Sequence, residues 1–256
     1  ARGREPCLCL ARPTPKCYKK AMLAEILTYL TTPCPGYVRE MGYLYEAIAV
    51  QGRYRRNRAS WQPHLEQARR FICAVAEGCL THETAVIIGS GLLLDVPLDE
   101  LARLFREVVL IDIVHLREAR RQAGRYGNVR IRQHDVTNVA QALVRNMAKR
   151  QQTLPDPVAE IPGDARTFSL VVSLNVLSQL AVRPGVYAGK RMHGLDEARG
   201  QTWSRRIVET HYAALSALPC DAVLISDFAY RTRDRQGRVV GEGSTVQGLS
   251  LPAPDA

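Results

Sequence analysis

Short continuous apolar runs alternate with helix-period stripes along most of this chain. Ala85–Ile88, Val108–Ile111, Ser169–Leu174 and Ala222–Ser226 are runs of the kind a strand needs when both of its faces are covered. Val129–Arg130–Ile131–Arg132 alternates instead, as a half-exposed strand does. Between these runs, apolar residues recur at helical spacing. They do so at Leu98, Leu101, Leu104, Phe105 and Val108, and again at Val139, Ala140, Leu143, Val144 and Met147. A third stripe runs through Ile207, Val208, His211, Tyr212 and Leu215. A short basic helix over His115–Tyr126 is closed by Gly127–Asn128, and Thr137 or Asn138 caps the helix after the third strand. This order predicts an α/β fold with a doubly wound, mostly parallel sheet and right-handed crossovers.

Residues 15–80 read as helices that cover the sheet or form a lid over the strand ends. One runs from about Pro15 to Leu30, a second from about Tyr37 to Val50, and a third starts near Pro63. The expected division is a helical extension over 1–82 and a cofactor-binding domain over 83–256. Two segments read as loose: Gln151–Thr167, with three prolines, and Arg183–Gln201, rich in Gly and Arg. Near the end, Val239–Val240 and Thr245–Leu251 supply at most a short hairpin, so the tail reads as abbreviated or trimmed. The chain begins with Ala1 rather than Met, which suggests a processed start.

The ends of the strands carry the candidate chemistry. Gly89-Ser90-Gly91 follows the first run, where glycine allows a tight turn and close approach of a ligand to the backbone. Asp112 closes the second run, a position where a carboxylate can accept hydrogen bonds from both hydroxyls of a ribose. A nucleoside-containing cofactor is the expectation. NAD(P) needs a third small residue so that its pyrophosphate rests on a helix N-terminus, but Leu94 occupies that place and Asp95 follows. A carboxylate there repels a pyrophosphate and tolerates a cation, which favours S-adenosylmethionine over a dinucleotide.

On these residues the chain resembles the class I S-adenosylmethionine-dependent methyltransferases, over about Thr84–Asp227. The resemblance implies a Rossmann-like fold and a set of cofactor contacts. Gly89, Ser90 and Gly91 would form the loop under the methionine moiety, and Asp112 would hold the ribose, with Ile113 beside the adenine. Asp135 would be the adenine-binding acid with Val136 as its apolar neighbour, and Asn175 would lie beside the transferring methyl group. Two positions depart from the family pattern: Ile87 replaces an acid, and Leu93 replaces a third glycine. An oxidoreductase using NAD(P), or a cofactor-free scaffold on the same sheet, are the alternative readings.

Composition narrows the partners. The 256 residues carry a formal net charge of +10, which points to an anionic substrate, whether a small molecule or nucleic acid. Arg53, Arg55, Arg56 and Arg58, interleaved with Tyr54 and Trp61 and followed by His64, form a candidate substrate clamp. The bland reading is a solvated basic helix end anchored by Trp61. His64 and Asn175 are the candidate catalytic residues, and Asp227 and Tyr230 are further candidates without a motif. The seven cysteines match no zinc spacing and no metal is expected. No apolar run reaches the ~18 residues needed to cross a bilayer, and no signal peptide is evident, so a cytoplasmic location without membrane contact is expected.

Overall fold

The computed structural model describes residues 15–234, 236–246 and 249, with side chains described from residue 23 onward. Among the described residues, helix α1 (Pro15–Thr31) belongs to one unit, and every other element belongs to a second unit that begins at Cys34. The second unit thus takes in much of the helical segment that the sequence assigned to a separate extension.

Five strands form one parallel sheet: β1 (Thr84–Ile88), β2 (Glu107–Asp112), β3 (Val129–Gln133), β4 (Phe168–Leu174) and β5 (Asp221–Ile225). Their spatial order is β3-β2-β1-β4-β5, as a doubly wound Rossmann-like sheet requires. The chain winds outward from β1 to β3, then returns across β1 to lay down β4 and β5. The order therefore reverses between β1 and β4, where a crevice opens beyond the carboxyl ends. Side chains alternate with period two. Ala85, Ile87, Val108 and Leu110 face a core shared with α3 (Tyr43–Gly78), α4 (Leu98–Leu104) and α5 (Arg117–Ala123). Val86, Ile88, Val109 and Ile111 face the other way, toward Leu215 of α8 (Glu197–Ser216). On that second side α6 (Val139–Ala148), α7 (Val182–Arg191) and α8 pack together around Leu143, Ala188, Trp203 and Ile207.

Several boundaries differ from the sequence reading. The helical stripe from Leu98 ends at Leu104, because Phe105 is extended and Val108 already belongs to β2. The segment expected to be loose over Arg183–Gln201 contains most of α7 and the start of α8. Tyr187, Ala188 and Met192 supply an apolar face against α6 and α8, and Pro184 falls in the first turn, where its missing N–H costs nothing. Gln151–Thr167 is irregular apart from a 3-10 turn at Ala165–Thr167, yet it is tied down. Val158 N and Glu160 N donate to Thr137 O and Val136 O, and Trp203 Nε1 donates to Pro155 O at 2.7 Å. Near the end, the partner of β7 (Val239–Ser244) is β6 (Ala229–Arg233) and not Thr245–Leu251, most of which lies outside the described residues.

The helices before the sheet also differ. The short α2 (Gly36–Glu40) stops at Met41-Gly42, and Gly42 starts α3 with φ +82°. A side chain at Gly42 would collide with Arg183, whose Nε donates to Met41 O at 2.8 Å and whose Nη1 pairs with Glu46 at 3.3 Å. α3 then runs straight through the arginine-rich segment, which the sequence reading placed between two helices. Its one break is a kink at Asn57 (φ −119°, ψ 25°), six residues before Pro63. There Asn57 Nδ2 donates to Arg53 O and Ser60 Oγ to Asn57 O, which replaces ladder bonds lost at the bend.

Candidate functional site

A cavity of about 820 Å³ opens at the carboxyl ends of β1–β5 and is bordered on its far side by α3. Its floor is the turn after β1. Gly89 has φ +82°, and a Cβ there would come within 2.3 Å of both Leu174 O and Val176 Cγ1, so only glycine fits beside the end of β4. Gly89 N and Ser90 N both donate to Ile111 O, which stitches the turn to β2. Leu93, in the place of a third glycine, adopts φ +58° and buries its side chain in the core. That conformation costs about 1–2 kcal/mol in an L-residue, which burial of a leucine side chain offsets at about 1.5–3 kcal/mol.

The turn does not lead directly into a helix. Residues 92–97 are irregular, and α4 begins only at Leu98, with Asp99 and Glu100 in its first turn. No helix N-terminus therefore stands at the glycine turn to receive a pyrophosphate.

Asp112 closes the turn from β2. Its Oδ2 accepts from Gly91 N at 2.9 Å and its Oδ1 from Val114 N at 3.2 Å. Burial pushes its carboxyl up to about 6, against the pull of the Val114 and Gly91 amides and with a further push from Asp95. Ile113 and Val136 line the same cavity as apolar wall. Asp135 also lines it, but its oxygens are engaged: Oδ2 accepts from Ala140 N at 2.7 Å, and Oδ1 from Thr137 N and Thr137 Oγ1. Asp135 is thus the residue that caps α6. Asn138, in the N-cap place with φ +55°, makes no capping bond through its side chain.

Ser90 contributes backbone only. Its hydroxyl donates to Ile111 O and meets His115 Nε2 at 2.8 Å, buried away from the cavity. His115 is wholly buried and desolvation holds its imidazole down at about 4, so it is neutral at physiological pH. A second pair of the same kind joins Ser173 Oγ to His211 Nε2 at 2.9 Å, and burial likewise holds His211 at about 4. Both pairs join a strand end to a core histidine, and in each the other ring nitrogen, Nδ1, is buried without a partner among the described residues.

Asn175 adopts φ +54° after β4, with its backbone N–H held by Ile225 O at 2.7 Å. Its carboxamide does not cap the following helix. Asn175 Nδ2 donates instead to Asp95 Oδ2 at 2.8 Å, and burial raises the Asp95 carboxyl above the usual range.

From α3, the helical period of about 3.6 residues turns Tyr43, Ala47, Val50, Trp61, His64 and Leu65 toward the cavity, with Arg53 and Ser60 at the edge. Arg55 and Arg56 do not line it; both are exposed, as is Arg58. The arginine clamp therefore separates into one cavity residue and an outward basic face. Trp61 packs against Tyr54 with ring centroids 6.0 Å apart. Among the further candidates Asp227 lines the cavity and Tyr230 does not, its ring being exposed on β6.

Comparison with protein-family models, with curated proteins and with solved structures finds no match to this chain. The chemistry must be read from the cavity itself. Asp95, Asp112, Asp135 and Asp227 all line it, and none has an ion-pair partner among the described residues, although the chain as a whole carries +10. Arg53, His64 and His134 are the cationic or titratable nitrogens on its wall. The sequence reading used Asp95 only to weigh a pyrophosphate against a cationic cofactor and gave His134 no role. A strand-end signal existed for His134, which directly follows β3. Asp95 carries no such signal, because the tertiary bond to Asn175 brings it in.

Cys7 and Cys9 lie outside the described residues, as does the side chain of Cys17. Among the described residues, no helix is long and apolar enough to cross a membrane.

Proposed function

We propose that this chain is an S-adenosylmethionine-dependent methyltransferase. The observation that carries the reading is one cavity at the strand-order reversal, where the glycine turn, Asp112, Ile113, Val136 and Asn175 converge with three further carboxylates, Asp95, Asp135 and Asp227. Such a wall attracts a sulfonium and an ammonium and repels a pyrophosphate. The displaced start of α4, with acids in its first turn, removes the anion site that NAD(P) would use. Asp112 would take the ribose hydroxyls on the lone pairs not used by Gly91 N and Val114 N, and Ile113 and Val136 would flank the base. The cofactor supplies an already activated methyl group, so the protein's task is alignment of the acceptor. Asn175, Trp61 and His64 surround the space left for that acceptor.

Calorimetry with S-adenosylmethionine, S-adenosylhomocysteine and NAD tests this directly. Both sulfur nucleosides should bind and NAD should not. Binding of NAD alone would move the chain to the oxidoreductases, and binding of none of the three would make it a scaffold on the same sheet.

A further inference from the structure

The segment between the glycine turn and α4 is fixed more firmly than its irregular backbone suggests. Leu93 is buried in the core beneath it, Arg69 Nη1 donates to Leu94 O at 2.7 Å, and Asn175 Nδ2 donates to Asp95 Oδ2 at 2.8 Å. The last of these bonds spans from the loop after β1 to the end of β4, two neighbouring strands at the reversal point. The Asp95 carboxylate is therefore presented to the cavity in a set orientation, next to the turn that lies against Leu174.

Asn175 is a neutral partner that orients the carboxylate; His64 and Arg69 lie near enough to favour its ionised form, but neither forms an ion pair with it, and no other side chain among the described residues donates to Asp95. A half-buried carboxylate held this way is completed by a cation that arrives with the ligand. Trp61 lines the same cavity from α3, and an indole is the aromatic side chain that most favours a nearby cation.

We propose that Asp95, oriented by Asn175, receives the protonated amino group of the methyl acceptor, so that the acceptor is an amine. The proposal rests on the methyl-transfer reading for its chemistry. The acceptor ammonium gives one proton to the Asp95 carboxylate and becomes a neutral amine. The nitrogen lone pair then forms the N–C bond to the methyl carbon as the C–S bond breaks, and that electron pair stays on sulfur. A sulfonium and an amine become a thioether and a methylammonium, with charge conserved, and Asp95 returns its proton to water as the product leaves.

Three probes of one shape and different charge test the assignment: benzylamine, benzyl alcohol and benzoate, titrated into protein saturated with S-adenosylhomocysteine. Benzylamine should bind at least about tenfold more tightly than the alcohol, the change expected for about 1.4 kcal/mol of charge-assisted contact, and benzoate more weakly still. Asp95→Asn keeps the volume and an acceptor for Asn175, and should erase the preference for the amine in protein saturated with S-adenosylhomocysteine. Asp95→Glu keeps the charge and should retain the preference, which a purely structural role for Asp95 would not produce. Tighter binding of benzoate, or an amine preference that survives in Asp95→Asn, overturns the proposal. Failure of S-adenosylhomocysteine to bind at all removes the methyl-transfer reading instead, and the same three probes on the ligand-free protein then decide whether Asp95 is an ammonium site.

Discussion

Asp112 shows how one side chain serves both the fold and the site. Its carboxylate ties Gly91 N to Val114 N, and it stands at the base of the cavity with its carboxyl raised to about 6 by burial. An unfolded aspartate titrates near ~3.9, so between about 4 and 6 the folded chain holds the proton more tightly than the unfolded one does. The stabilisation from this group is therefore full at acid pH and is lost as pH rises through about 6. Urea unfolding of wild type and Asp112→Asn should show the stability difference moving in favour of wild type as pH falls from 7.5 to 5. A cationic cofactor favours the ionised form, so S-adenosylmethionine should bind more tightly at pH 7.5 than at pH 5, and Asp112→Asn should flatten that dependence. Asp112→Ala should weaken S-adenosylhomocysteine binding by about tenfold or more, as loss of a charge-assisted acceptor implies. A folded Asp112→Ala protein with unchanged affinity would place the nucleoside elsewhere.

At the level of elements, α3 bears the cavity wall on one face and a basic surface on the other, and its start is fixed from outside. Arg183 of α7 reaches the Met41 carbonyl and Glu46, through a gap that exists because residue 42 is glycine. Removing the guanidinium leaves that carbonyl without its charged donor and exposes the joint between α2 and α3. Arg183→Ala should cost about 1–3 kcal/mol of stability. Hydrogen exchange at the amides of the first turns of α3 should speed up more than exchange in β1 or β2. Uniform acceleration across the sheet would show instead that the contact supports the whole fold rather than the joint.

Across the whole molecule, excess positive charge and an acidic cavity coexist, and they address different surfaces. Arg55 and Arg56 are exposed and stand off the cavity wall, whereas Arg53 lines it. The double variant Arg55→Ala/Arg56→Ala should therefore leave S-adenosylhomocysteine and benzylamine affinities unchanged within error by calorimetry. A loss of either affinity would mean that the basic face reaches the site through long-range charge, which added salt should then suppress.

The strands, their mostly parallel arrangement and the strand-end positions of the glycine turn, Asp112, Asp135 and Asn175 were legible in the sequence. They follow from local rules: covered strands need unbroken apolar runs, and loops at strand ends need turn residues. Two kinds of feature were decided only by the tertiary structure. One is helix continuity: α3 carries Arg53 through Pro63 in one bent helix, and α7 forms across Gly185 and Gly189, because packing surfaces override local propensity. The other is the partner each polar atom finds. Ser90 turns to His115, Asp135 caps α6, and Asn175 reaches Asp95 across 80 positions of sequence. Spacing along a chain fixes where a side chain starts from, but hydrogen bonding is set by what the fold brings within about 3 Å of it.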